Sequence, residues 1–171
     1  MRCMLLMKAT KESEAGVIPG PEIFAAMDAF NGEMIKAGVM LGGEGLHPSS
    51  AGARLKFGSG KPVVVDGPFA ETKELLAGFW ILQVKSFEEA IEWASRCPGH
   101  DGPEEFEIEV RRIFDLSDFP QEVIDAVPNE REYLAQQAKT PAATPHNPFH
   151  ELQTSNHGFR RSPHNRGPLE D

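Results

Sequence analysis

Asp66-Gly67-Pro68-Phe69-Ala70-Glu71-Thr72-Lys73-Glu74-Leu75-Leu76-Ala77-Gly78-Phe79 stands between two apolar runs, Val63-Val64-Val65 and Phe79-Trp80-Ile81-Leu82-Gln83-Val84. Asp-Gly-Pro is turn chemistry: an Asp side chain can bond nearby backbone, and Pro fixes its own φ. Three ionisable groups, Glu71, Lys73 and Glu74, follow within four residues. A charged loop between two strands is where a rigid scaffold usually carries its function.

Upstream, Cys3 to Met7 is continuously apolar, the pattern of an inner strand covered on both faces. Pro21 suits a helix's first turn, and Ile23, Met27, Phe30 and Met34 then make one apolar stripe ending at Gly38. Val39–Leu41 reads as a short strand running into Gly42-Gly43-Glu44-Gly45-Leu46-His47-Pro48. Ala53, Leu55 and Phe57 alternate with Arg54 and Lys56, predicting a half-buried strand that Gly58-Ser59-Gly60 turns back into Val63–Val65.

Downstream, Ser86 and Glu89 form a capping box for a helix with Phe87, Ile91 and Ala94 on its buried side, stopped by Pro98. Phe106, Ile108 and Val110 alternate with Glu105, Glu107, Glu109 and Arg111 in a last strand. Asp118 is expected to cap a helix over Phe119–Val127, and Asn129 with Glu132 a second one to about residue 138. Strand, helix, strands, helix, strand is the split βαβ, ferredoxin-like order of an α+β fold, with both helices on one sheet face. A second copy of the chain is the economical cover for the other face. The expected boundaries are a domain over 1–118, a helical extension over 119–138 and a tail over 139–171. That tail is rich in Pro, His and Asn and poor in aliphatics, so disorder is expected there.

With its DGPF and ETKE, the loop resembles the DGPF branch of the YCII-related family, and the resemblance extends over residues 1 to about 138. It implies a homodimeric α+β barrel with clefts beside the sheet-to-sheet interface. Similar barrels, the muconolactone isomerase-like proteins and a dehydrochlorinase among the YCII-like ones, isomerise or eliminate without cofactors. DGPF-type domains also accompany alternative sigma factors, which implies a regulatory alternative. The YCII branch for which acid–base chemistry is proposed has a helix-borne His paired with an Asp near the end of the first helix. Phe24 and Lys36 occupy those places here, so that dyad does not carry over.

Charge narrows the partners. The chain has 17 Lys+Arg against 26 Asp+Glu, a net −9. An acidic protein is a poor phosphate binder, so nucleic acid is not expected. The apolar run at the N-terminus stops at Lys8, too short for a signal peptide. No stretch approaches the ~20 apolar residues of a membrane span, so a cytoplasmic protein is expected. Cys3 and Cys97 are too few for a disulfide framework and read as buried thiols.

Candidate chemistry falls on two loops. Asp66 is either a turn residue or a general base on a stiff turn; Phe69 is either a core plug or a wall of the substrate site. Glu71 and Lys73 are either an exposed ion pair or a proton carrier beside an anion-binding ammonium. Glu44 and His47 follow a Gly-Gly pair that would let backbone approach a ligand, and the His47 ring suits proton transfer near neutrality. The expected roles are therefore catalytic for Asp66, Glu71 and His47, and substrate-binding for Lys73, Glu44 and Phe69. No metal-ligand spacing is present, so neither a metal nor another cofactor is expected. The tail histidines His146, His150, His157 and His164 are interrupted by Pro and Gly and carry no expected site. A small-molecule ligand and a second copy of the chain are the expected partners.

Overall fold

The N-terminal apolar run becomes the inner strand of a four-stranded antiparallel sheet. The computed structural model describes residues 1–70, 74–99 and 106–137. Strands β1 (Arg2–Lys8), β2 (Met40–Gly45), β5 (Leu76–Gln83) and β6 (Ile108–Arg112) lie in the order β2-β5-β1-β6. Strands β3 (Ala53–Lys56) and β4 (Val63–Asp66) form a separate two-stranded sheet. Without that hairpin, the strand order and the two long intervening helices give the ferredoxin-like α+β fold.

Helices α2 (Pro21–Lys36) and α3 (Phe87–Ala94) cover one sheet face. Phe30 and Met34 of α2 and Ala90 of α3 are buried with Cys3, Leu5, Trp80 and Leu82 from the strands. Gly38 closes α2 with φ +70, the left-handed cap expected of a glycine there. Ser86 Oγ accepts the Glu89 N–H at 3.2 Å, while the Glu89 carboxylate takes the Lys85 N–H rather than that of Ser86. Ile91, expected on the buried side of α3, is 48% exposed, and fully buried Ala90 takes that role.

On the second face the strands alternate instead of being buried throughout. Cys3 and Leu5 are inaccessible to solvent, but Met4 and Leu6 are half-buried, because none of the described residues covers their side of β1. Register sets two rows across this open face: Glu44, Phe79, Leu6, Glu109, and Gly42, Ile81, Met4, Arg111. Ile108 and Val110 point the other way, onto the core, as the alternation in this strand requires.

Other expectations are corrected. Strand β2 runs on through the glycines to Gly45. Gly43 serves packing rather than ligand approach: a Cβ there would stand 2.6 Å from Trp80 Cδ1. The β3 strand is not half-buried, with Leu55 53% and Phe57 79% exposed, because none of the described residues packs a core beneath the hairpin. Asp118 caps no helix; it lies in a 3-10 turn over Leu116–Asp118 and accepts the Asp115 N–H at 2.8 Å. Pro120 holds Phe119 out of helical conformation, so α4 is Gln121–Ala126, followed by α5 (Pro128–Gln137). A four-residue helix, α1 (Lys11–Glu14), capped by Thr10, was not foreseen. The tail lies outside the described residues.

Both cysteines are buried, and burial pushes Cys97 up to about 11 and raises Cys3 as well. The thiolate is the nucleophile, so native protein at about pH 8 should leave a disulfide reagent such as DTNB unreacted. Both thiols should react once guanidinium unfolds the chain. Rapid modification of the native protein would contradict this burial.

Candidate functional site

The loop that opens with Asp66-Gly67-Pro68-Phe69 is held by a turn from elsewhere in the chain. After β2, Leu46 continues the strand pairing by donating its N–H to Ala77 O at 2.8 Å. His47 and Pro48 then lead into a 3-10 turn over Ser49–Ala51. Ser49 is the hub. Its N–H donates to the Glu14 carboxylate at 3.1 and 3.2 Å, and its hydroxyl donates to Glu14 Oε2 at 2.5 Å. The same hydroxyl oxygen accepts the Phe69 N–H at 3.1 Å. Charge-assisted O–H···O⁻ bonds of this length are among the stronger ones.

Gly67 makes the second attachment, donating its N–H to Gly52 O at 2.9 Å. The approach is so close that a Cβ on Gly67 would fall 1.8 Å from the Ser49 carbonyl oxygen. The Gly67–Pro68 peptide is cis. Asp66 does not tie the turn: Pro68 has no N–H to offer, and those of Gly67 and Phe69 bond to Gly52 and Ser49.

Beside this junction is a hollow of about 260 Å³ lined by Glu14, Leu46, His47, Ser49, Leu75 and Leu76, among others. His47 is exposed on its wall. The hollow is slightly smaller than the ~300–1,000 Å³ typical of ligand pockets, a size for a small molecule. A second, larger hollow of about 420 Å³ lies at the other end of the chain. Phe114, Phe119, Ile124, Val127 and Leu134 line it, with the Arg2–Asp115 ion pair at its edge.

The expected site residues therefore divide. His47 stands two residues before Ser49, whose hydroxyl oxygen accepts the Phe69 N–H of the DGPF loop. Asp66 is exposed at the end of β4, opposite Ala53, and is not in the wall of the His47 hollow. Glu44 stands exposed in the Phe79 row of the open sheet face. Phe69 is half-buried beneath the Arg54 guanidinium, 4.1 Å from its ring centre, so it is not a core plug. Glu71 and Lys73 lie outside the described residues. Glu14 and Ser49 were missed; only Thr10 as a cap and Gly16 as a left-handed stop hinted at the helix that carries Glu14.

Electrostatics concentrates on the open face. Glu109 lies 2.9 Å from Lys8 and, through that hydrogen bond, holds Lys8 above the usual lysine range. Lys8 in turn holds Glu109 below the usual carboxylate range. Glu74 and Glu107 add to the negative field at Lys8. Among the described residues, no three His, Cys, Asp or Glu side chains converge to hold a metal ion. Among them, too, no helix is long and apolar enough to cross a membrane.

The model of the YCII-related domain matches residues 1–117, spanning the whole sheet, both covering helices and the DGPF loop. The chain belongs to the YCII-related family. It is also 47% identical over 49 residues to an uncharacterised protein, R00369, of Rhizobium meliloti (strain 1021). That similarity covers 29% of this chain and 40% of the relative, so it reaches less than half of either. Helices α4 and α5 follow the YCII-related domain.

Proposed function

We propose that this YCII-related protein is a homodimer that binds a small polar molecule at the His47 hollow and moves a proton on it without a cofactor. Isomerisation or elimination is the reaction class. The supporting observation is the placement of His47 on the wall of a hollow anchored to the DGPF loop through the Glu14–Ser49 bonds. His47 is the acid–base group in this reading, since one imidazole nitrogen can donate a proton and the other accept one. The roles expected for Asp66 and Glu71 as further proton carriers and for Lys73 as an anion-binding group belong to the same proposal. Homodimer formation is supported by Met4, Leu6, Phe79 and Ile81, half-buried apolar side chains on a sheet face that the described residues leave open.

One observation favours a non-catalytic alternative, a ligand-binding regulatory protein of the kind that accompanies alternative sigma factors. Glu14, the carboxylate in the wall, already accepts three hydrogen bonds from Ser49 and is committed to holding the turn.

A thermal-shift screen of small acids, phenols and carbonyl compounds tests both readings on wild type and His47→Ala. A ligand at 100 times its Kd adds about 2.7 kcal/mol of stability. The proposal expects a hit that His47→Ala loses, and enzyme-dependent exchange of a carbon-bound proton of that ligand in D2O by NMR. Binding without exchange supports the regulatory reading. Hits indifferent to His47 would remove the site.

A further inference from the structure

Where the YCII-related domain ends, helices α4 and α5 help to enclose the hollow of about 420 Å³ that the proposed reaction does not use. Its volume falls within the ~300–1,000 Å³ of small-molecule pockets, which are mostly apolar with a few polar groups. The wall follows that pattern: it is aliphatic and aromatic apart from Arg2, Asp115 and Glu130. Three of its side chains are aromatic, Phe114, Phe119 and Tyr133, and they are 70%, 37% and 58% exposed. The Phe114 and Phe119 rings stand 5.1 Å apart between centroids, tilted by 39°.

Charge narrows the ligand. Arg2 is already engaged, its Nε donating to Asp115 Oδ1 at 3.1 Å and its Nη2 to the Phe114 carbonyl at 2.9 Å. One guanidinium against two carboxylates leaves the wall at net −1, with Glu130 the carboxylate that Arg2 does not offset. Two further guanidiniums of this region have carboxylates of their own, Arg112 with Asp118 at 3.8 Å and Arg131 with Asp125 at 3.9 Å. The chain as a whole, at −9, adds a field of the same sign. An anion would meet like charge here. A cation would meet Glu130 and aromatic rings, whose faces attract positive charge through the ring quadrupole. The aliphatic remainder of the wall favours an apolar body on that cation.

We infer that this hollow is a binding site for a small organic cation, an ammonium carried on an aromatic or other apolar body. The body lies against the aliphatic wall, with the ammonium among Glu130 and the Phe114, Phe119 and Tyr133 rings. This site is separate from the His47 hollow and takes a different class of ligand.

Titration of the full chain with benzyltrimethylammonium, followed by amide shifts in heteronuclear NMR, tests the inference. Benzyl alcohol and phenylacetate are the neutral and anionic comparators. The shifts should saturate and cluster at Phe114, Asp115, Phe119, Val123 and Tyr133. The cation should bind about fivefold or more tighter than benzyl alcohol, the effect of a cation–π contact at an exposed site. Phe114→Leu, which keeps an apolar side chain but removes the ring, should abolish most of that preference. Glu130→Gln should weaken the cation about two- to fivefold and leave benzyl alcohol unchanged. Both positions are exposed, so the variants should fold, which circular dichroism checks. Equal binding of cation and alcohol, or tighter binding of phenylacetate, overturns the ligand class. A preference that survives both substitutions overturns selection of the cation by this wall. Shifts at His47 and Leu75 instead, or no saturable shifts, overturn the site.

Discussion

Trp80→Ala should lower the free energy of unfolding by about 3–5 kcal/mol, the range for truncating a large buried aromatic. Trp80 is only 7% exposed and stands in the middle of β5, beside Leu5 of β1. Three separate losses combine at this site. The cavity left behind is bounded by a sheet and a helix that cannot collapse freely. The edge-to-face contact with Phe30, centroids 6.1 Å apart at 84°, disappears; such pairs contribute about 0.5–1.5 kcal/mol beyond area. Asn31, the one buried polar side chain of the described core, loses the indole N–H that its Oδ1 accepts at 2.9 Å. A buried acceptor left unpaired costs about 1–3 kcal/mol. These contributions overlap, so the sum stays within the stated range. Urea unfolding read by circular dichroism checks it, with the midpoint falling and the slope unchanged. A loss below about 1 kcal/mol would mean that the α2–sheet interface is not the core of this fold.

The ferredoxin-like sheet was legible in the sequence because its signals are local and strong. The stripe through Phe30 and Met34, the Gly38 stop and the alternation in Ile108 and Val110 each follow from one element's own periodicity. The failures came where burial depends on elements distant in sequence. Alternation in Ala53, Leu55 and Phe57 is the same whether a core lies beneath the strand or not; here the described residues supply none. Gly43 reads as a permissive loop glycine, yet it makes room for a tryptophan 37 residues away. Phe119-Pro120 carried a usable signal against a helix starting at Phe119, but Asp118 as a cap outweighed it. At the site, His47 was legible as a titratable side chain on a loop. Its neighbours Glu14 and Ser49 were not, because the bond that makes them a unit joins residues 35 apart. Asp66 drew attention as the acidic member of its motif, whereas the attachments of that loop are made by backbone.

Gly67→Ala therefore should do more damage than Asp66→Asn. The reason at Gly67 is space, since its φ is not in the positive range. An added Cβ would meet the Ser49 carbonyl oxygen at 1.8 Å and its carbon at 2.6 Å, both backbone atoms that cannot swing aside. Either the loop or the Ser49–Ala51 turn must move, and an overpacked site of this kind costs about 1–3 kcal/mol, occasionally more. Movement breaks both attachments, the Gly67 N–H to Gly52 and the Phe69 N–H to Ser49. Hydrogen exchange separates this from general destabilisation. The Gly67 and Phe69 amides should lose protection in Gly67→Ala while Leu5 and Leu82, in the sheet, keep theirs. Asp66→Asn changes an exposed side chain, so its effect on stability should stay within about 0.5 kcal/mol. If Asp66→Asn keeps stability but abolishes ligand-dependent proton exchange, Asp66 acts in the chemistry. If Gly67→Ala alone abolishes ligand binding, the DGPF loop contributes through its seat on Ser49, and His47 is the group to pursue. Full protection of Phe69 in Gly67→Ala would show that the turn accommodates the methyl group, and that the loop is not held by this close approach.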